Sequence, residues 1–163
     1  MEQLMAISDR QDGGGTTRRA VLAGGLAVAL VPVSMADGLA SPEEMSEAIK
    51  QVVGQTEIRN GRVKLVMPEL AENGNSVQLI VTVDSPMSQA DHVKTVHIFS
   101  EQNPIATVVR FHLGPRSGVA KVSTSIRLAT TQRITALAAM SDGSFWRGQA
   151  NVVVTLAACI DSG

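Results

Sequence analysis

Val77-Gln78-Leu79-Ile80-Val81-Thr82-Val83 puts valine or leucine at every second position, with Gln78 and Thr82 between them. A period of two in a β-branched run is the pattern of a strand with one buried face. Reading outward, Val63-Lys64-Leu65-Val66-Met67 ends at Pro68, and the turn-rich Glu72-Asn73-Gly74-Asn75-Ser76 joins the two runs. Five further strands are predicted at Val93 to Phe99, Ala106 to Leu113, Val119 to Leu128, Arg133 to Met140 and Trp146 to Leu156. The breaks between them are Asn103-Pro104, Gly114-Pro115, Thr130-Thr131 and Ser141-Asp142-Gly143-Ser144. Seven short strands in roughly a hundred residues predict an all-β fold, an immunoglobulin-like sandwich over 57–156.

One helix precedes the strands, within 37–56. Ser41-Pro42-Glu43-Glu44 places a capping serine, proline at the first helical position and glutamate at the third, a capping box. Met45, Ala48, Ile49, Val52 and Val53 recur at helical spacing, and Gly54 follows as a stop. The apolar stripe is expected to cover the helix's own domain in preference to a partner.

The first 36 residues read as an export signal of the twin-arginine kind. Arg18-Arg19 precedes an uncharged stretch from Ala20 to Ala36, and Ser34-Met35-Ala36 is a small-x-small cleavage pattern. Gly24, Gly25 and Pro32 interrupt the apolar part, which is short for a bilayer span of about 20 residues. A second cut after Gly38-Leu39-Ala40 would move the boundary to 40. The expected location is therefore the periplasm.

From Asp37 onward the chain carries 11 Lys and Arg against 12 Asp and Glu. That balance gives no attraction to nucleic acid or anionic lipid. Aromatic residues make up 2% of the sequence, with no tyrosine and the single Trp146, so the core is expected to be aliphatic. There is no glycine-rich phosphate loop, no Cys-x-x-Cys and no glycine-flanked serine elbow. His92, His97 and His112 are the only imidazoles, and nothing in their spacing brings them together with Asp91 or Glu101 as metal ligands. Neither a metal nor a cofactor is expected.

Cys159 is the only cysteine, four residues from the end. An unpaired thiol in an exported protein forms an intermolecular bond, acts as a reactive group, or lies buried and inert. Burial is the least expected of the three, because Ile160-Asp161-Ser162-Gly163 is too short to cover it. A segment 157–163 that extends freely past Leu156 carries Cys159 roughly 10 Å from the strand end. An unperturbed thiol has a pKa of about 8.5, so only a minority is ionised near neutral pH. No activating base is visible within the chain.

Several separated segments resemble the SoxY family of thiosulfate oxidation. They are Ile58-Arg59-Asn60-Gly61-Arg62-Val63 through Pro68-Glu69-Leu70-Ala71-Glu72-Asn73-Gly74, then Val83-Asp84-Ser85-Pro86-Met87 with Asp91-His92-Val93-Lys94 and Glu101-Gln102-Asn103-Pro104. Met140-Ser141-Asp142-Gly143-Ser144-Phe145-Trp146, the closing strand and the cysteine complete the likeness. The resemblance implies a periplasmic carrier, not an enzyme, whose C-terminal cysteine holds sulfur as a covalent thioconjugate. It implies a SoxZ-like sandwich partner and transient contacts with SoxAX, SoxB and SoxCD-type enzymes.

The tail departs from that family. SoxY proteins typically flank the cysteine with glycine pairs, whereas here the sequence reads Ala157-Ala158-Cys159-Ile160-Asp161-Ser162-Gly163. Alanine and β-branched isoleucine restrict the backbone that glycine leaves free, and the Asp161 carboxylate disfavours a neighbouring thiolate. Altered partners or slower conjugation are expected. The alternative reading is a sandwich module with Cys159 in an intermolecular disulfide.

Overall fold

The computed structural model describes residues 38–158, so the stretch 1–36 expected to be an export signal and Cys159 to Gly163 lie outside the described residues. Helix α1 runs from Pro42 to Val53 and opens on the expected capping box. The Glu44 backbone N–H donates to Ser41 Oγ at 3.2 Å, and the Ser41 N–H donates to Glu44 Oε2 at 2.9 Å. Gly54 ends the helix at a φ of +62°, a conformation that side chains disfavour.

Nine strands follow: β1 Ile58–Asn60, β2 Val63–Val66, β3 Leu70–Ala71, β4 Val77–Val83, β5 Val93–Ser100, β6 Thr107–His112, β7 Lys121–Ile126, β8 Gln132–Met140 and β9 Phe145–Val154. One sheet has the order β1-β9-β8-β5-β6, with β3 also paired to β9, and the other has the order β2-β4-β7. The long neighbours are antiparallel, while β1 and β3 lie parallel to β9, at its start and its end. The architecture is a two-sheet β-sandwich, as the alternation predicts. Seven of the nine strands occupy the predicted runs. The two additional ones are too short to show a period, three and two residues, and they form because β9 offers them an open edge.

The alternation in β4 is realised directly: Val77, Leu79, Val81 and Val83 are buried, and Gln78 and Thr82 are exposed. These side chains meet Val96, Ile98, Ile134, Ala136, Ala138 and Val152 of the facing sheet to form the main core. Strands β5 and β8 are buried on both faces, because α1 lies on the outer face of their sheet. Met45 and Val53 of the helix pack there on Phe99 and Leu137, with Ile58 and Phe145 at the margin. The helix stripe thus covers its own domain. At Gly148 the two sheets touch: a Cβ there would stand 2.6 Å from the Val63 carbonyl oxygen. Only glycine admits that approach.

Leu79 is fully buried between the sheets. Replacing it with alanine removes packed methyl groups and leaves a cavity, so Leu79→Ala is expected to cost about 2–5 kcal/mol. Urea denaturation followed by circular dichroism measures this, with the midpoint falling at an unchanged slope.

Candidate functional site

The end of β9 is tied to the body by a sequence of backbone bonds. The Val153 N–H donates to Glu69 O at 2.8 Å, and the Thr155 N–H donates to Ala71 O at 3.1 Å. Thr155 Oγ1 donates to Glu72 O at 3.0 Å, and from the other side the Val154 N–H donates to Thr131 Oγ1 at 2.9 Å. Leu156, past the strand, is exposed on its side chain but fixed at its carbonyl, which accepts from the Gly74 N–H at 2.8 Å. The Gly74 carbonyl accepts from the Leu128 N–H at 2.8 Å, and the Leu128 carbonyl accepts from the Ala158 N–H at 3.1 Å. Three segments of the chain therefore close on one another at Gly74.

The closure leaves no room for a side chain. A Cβ on Gly74 would stand 2.3 Å from the Leu128 carbonyl oxygen and 2.9 Å from the Ala158 nitrogen. Both are backbone atoms and cannot swing aside. Leu128, the middle segment, is fully buried and held from behind by Asn103. Asn103 Nδ2 donates to Arg127 O at 2.8 Å, and its Oδ1 accepts from the Ala129 N–H at 3.0 Å and from Gln132 Nε2 at 2.9 Å. Asn103 is itself 8% exposed, so these bonds form away from water, where an unmade one is costly.

Of the predicted tail residues, Ala157 is exposed and Ala158 is buried, while Cys159, Ile160 and Asp161 lie outside the described residues. The reach of roughly 10 Å counted from Leu156 has to be revised, because the chain is hydrogen-bonded as far as Ala158. Consecutive Cα atoms are about 3.8 Å apart, so Cys159 begins one peptide unit beyond that anchor. Sequence reading missed the anchor. Asn73-Gly74 carries a turn signal, but the bond partners of Gly74 come from residues far away in the chain.

The histidines are placed differently from one another. His92 Nδ1 lies 3.1 Å from Ser88 O. His97 and His112 come together on adjacent strands, where the register sets His97 opposite Arg110 and Thr95 opposite His112. No carboxylate joins them: Asp91 pairs with Arg62 at 2.9 Å, and Glu101 with Arg133 at 3.4 Å. Among the described residues no group of three or more His, Cys, Asp or Glu side chains is placed to hold a metal ion. Burial, reinforced by the charges of Arg110 and His112, pushes His97 down to about 4. Trp146 has Arg59 and Arg62 over its ring at 5.8 and 5.5 Å and donates from Nε1 to Ser144 Oγ at 3.0 Å.

The chain is thus a two-sheet sandwich whose last strand is followed by a segment hydrogen-bonded to the body as far as Ala158. A family model described as sulfur oxidation protein SoxY matches residues 49–159, and the chain belongs to the SoxY family. The structure of the sulfur carrier protein SoxY from Chlorobium limicola f thiosulfatophilum is similar at 26% identity and a TM-score of 0.60, covering 71% of this chain and 100% of that one. A superoxide reductase (neelaredoxin) from Ignicoccus hospitalis shares the fold at 18% identity and a TM-score of 0.50, over 72% of this chain and 95% of its own. A putative superoxide reductase from Thermotoga maritima does so at 20% and 0.50, over 63% and 89%. A comparison with curated protein sequences gives no match.

Gly74→Ala forces the anchor apart and is expected to cost about 1–3 kcal/mol, the usual range for overpacking against immobile atoms. Hydrogen exchange should show the Ala158 amide losing protection while β4 and β8 keep theirs. Unchanged protection at Ala158 would remove Gly74 from this role. The depressed His97 sets a second expectation. Its unfolded pKa of 6.5 exceeds the folded value of about 4, so the unfolded chain binds more protons in that window and stability falls as pH drops from about 6.5 to about 4. His97→Gln should flatten this part of the stability profile measured by urea denaturation.

Proposed function

We propose that the chain is a sulfur-carrier subunit that holds thiosulfate-derived sulfur covalently on Cys159 and presents it to partner enzymes. The observation that supports this most is positional. The family match runs to residue 159, the one cysteine of the sequence, and the hydrogen-bonded anchor ends on the residue before it. A thiol at that place follows directly on Ala158, which is held to the sandwich through the Leu128 carbonyl.

The chemistry asked of the chain is that of a nucleophile and a handle. Joining the outer sulfur of thiosulfate to Cys159 Sγ forms one S–S bond and releases the thiol proton and two electrons. A haem partner of the SoxAX kind takes the electrons. Water then cleaves the sulfone sulfur from the conjugate as sulfate in a SoxB-type step, leaving a persulfide on the cysteine. A SoxCD-type dehydrogenase oxidises that remaining sulfur. The carrier supplies none of these oxidants, only the attachment atom and its placement. The proposed setting is the periplasm, reached by the twin-arginine route in company with a SoxZ-like sandwich. Ile160 and Asp161 belong to the same reading, since a branched side chain and a carboxylate so close to the thiol in sequence would hinder its entry into a channel cut for glycine.

Intact mass of the protein isolated from thiosulfate-grown cells tests the assignment. Adducts that vanish with reductant and are absent from Cys159→Ser are expected; a chain that carries none, or that runs as a disulfide-linked dimer on non-reducing gels, refutes it. For the tail, the double substitution Ile160→Gly with Asp161→Gly is expected to raise the rate of conjugation by partner enzymes. Equal rates would assign the altered tail no role in partner choice.

A further inference from the structure

On the outer face of the larger sheet, beside the last turn of α1, a second group of polar side chains has no part in the tail. His97 is 4% exposed and stacked on Phe99 with ring centres 6.0 Å apart. Burial keeps it neutral, so one ring nitrogen donates and the other accepts. Nδ1 accepts from Arg110 Nε at 3.3 Å, which leaves the proton on Nε2, 3.3 Å from Thr95 Oγ1. Thr95 Oγ1 is the acceptor in that bond, and its own hydrogen is free to donate outward. Arg110 uses only Nε in this contact, and among the described residues no carboxylate pairs with its two terminal amino groups. His112, exposed and directly across from Thr95, adds an imidazole.

These groups line a shallow pocket of about 360 Å³ that includes Gln51 of the helix and no acidic residue. Among the described residues Arg110 donates to His97 and makes no hydrogen bond to the last carbonyls of α1. The rim is instead made of donors held in place by a buried neutral histidine, an arrangement suited to an anion with several acceptor oxygens.

The geometry points to a binding site for one small tetrahedral oxyanion of the sulfate or thiosulfate kind, contacted by Arg110, His112 and Thr95 and aligned through His97. The site is separate from the carrier tail. Phe145, at the start of β9, lines the pocket, and the tail leaves from the other end of this ten-residue strand, roughly 30 Å away at the rise of an extended chain.

Two-dimensional NMR of the histidine rings and the arginine Nε–H groups tests it, with sodium sulfate, thiosulfate, phosphate, acetate and chloride added at matched ionic strength. Saturable shifts at His112 and Arg110 are expected with the tetrahedral ions and not with acetate or chloride. Arg110→Gln should weaken binding by about tenfold or more, the loss expected for a hydrogen-bonded charge, and Thr95→Val by less. Arg59→Gln, on the far edge of the sheet, should leave it unchanged, and so should Cys159→Ser, which separates this site from the carrier reading. Shifts that do not saturate, that chloride reproduces, or that survive Arg110→Gln overturn the proposal. Saturation by phosphate alone would do the same for the sulfur oxyanions.

Discussion

At Gly74 three backbone segments approach so closely that a single methyl group cannot be inserted. The loop before β4, the residues after β7 and the chain beyond β9 exchange hydrogen bonds there in a line, from Leu156 to Gly74, from Gly74 to Leu128, and from Leu128 to Ala158. Each of these segments is irregular and would leave its carbonyl or amide unpaired at the edge of the sandwich. Joined, they satisfy one another and close that end of the domain. The place where Ala158 is held depends on this closure, and the closure depends on a residue without a side chain.

The closure is rigid because the sandwich behind it is. Asn103 grips the chain on either side of Leu128, and Gln132 grips Asn103 while also accepting from the Gln102 amide at 2.9 Å. No buried side-chain polar atom among the described residues lacks a partner, so this network gains little by opening. Leu128 itself is part of the aliphatic core with Val77, Leu79 and Val152. Displacing the anchor therefore means moving a core residue. Burial of Ala158 at 8% exposure shows that the alanine methyl is accommodated at the point where the family likeness leads one to expect glycine.

The sandwich was legible in the sequence because its long strands alternate and its breaks carry Gly, Pro, Asn and Asp. The helix was legible because Ser41 and Glu44 form a local motif whose partners are three residues apart. What was hidden has partners far apart in sequence. β1 and β3 are strands only because β9 presents an edge to them. His97 and His112 share a face because the hairpin register pairs Thr95 with His112, with an irregularity between Ile98 and Phe99 that no periodic pattern announces. Gly74 looked like an ordinary turn glycine, and Asn103 like the first half of an Asn-Pro break. That the chain is hydrogen-bonded to the body as far as Ala158 could not be read from the tail's own sequence.

A carrier thiol has two opposed requirements, reach into a partner's cleft and a defined starting point. A free chain from Leu156 would give the first at the cost of the second, since every unanchored residue adds conformations to be lost on docking. Anchoring at Ala158 moves the balance the other way. On the carrier reading proposed above it shortens the stalk, so a partner enzyme would have to bring its site close to the rim formed by Gly74 and Leu128, with less ordering needed when it does. On a short stalk the residues flanking a thiol weigh more than on a long tether, because fewer residues separate them from the anchor. On the same reading Ile160 and Asp161, one and two residues past the proposed attachment point, would bear on recognition.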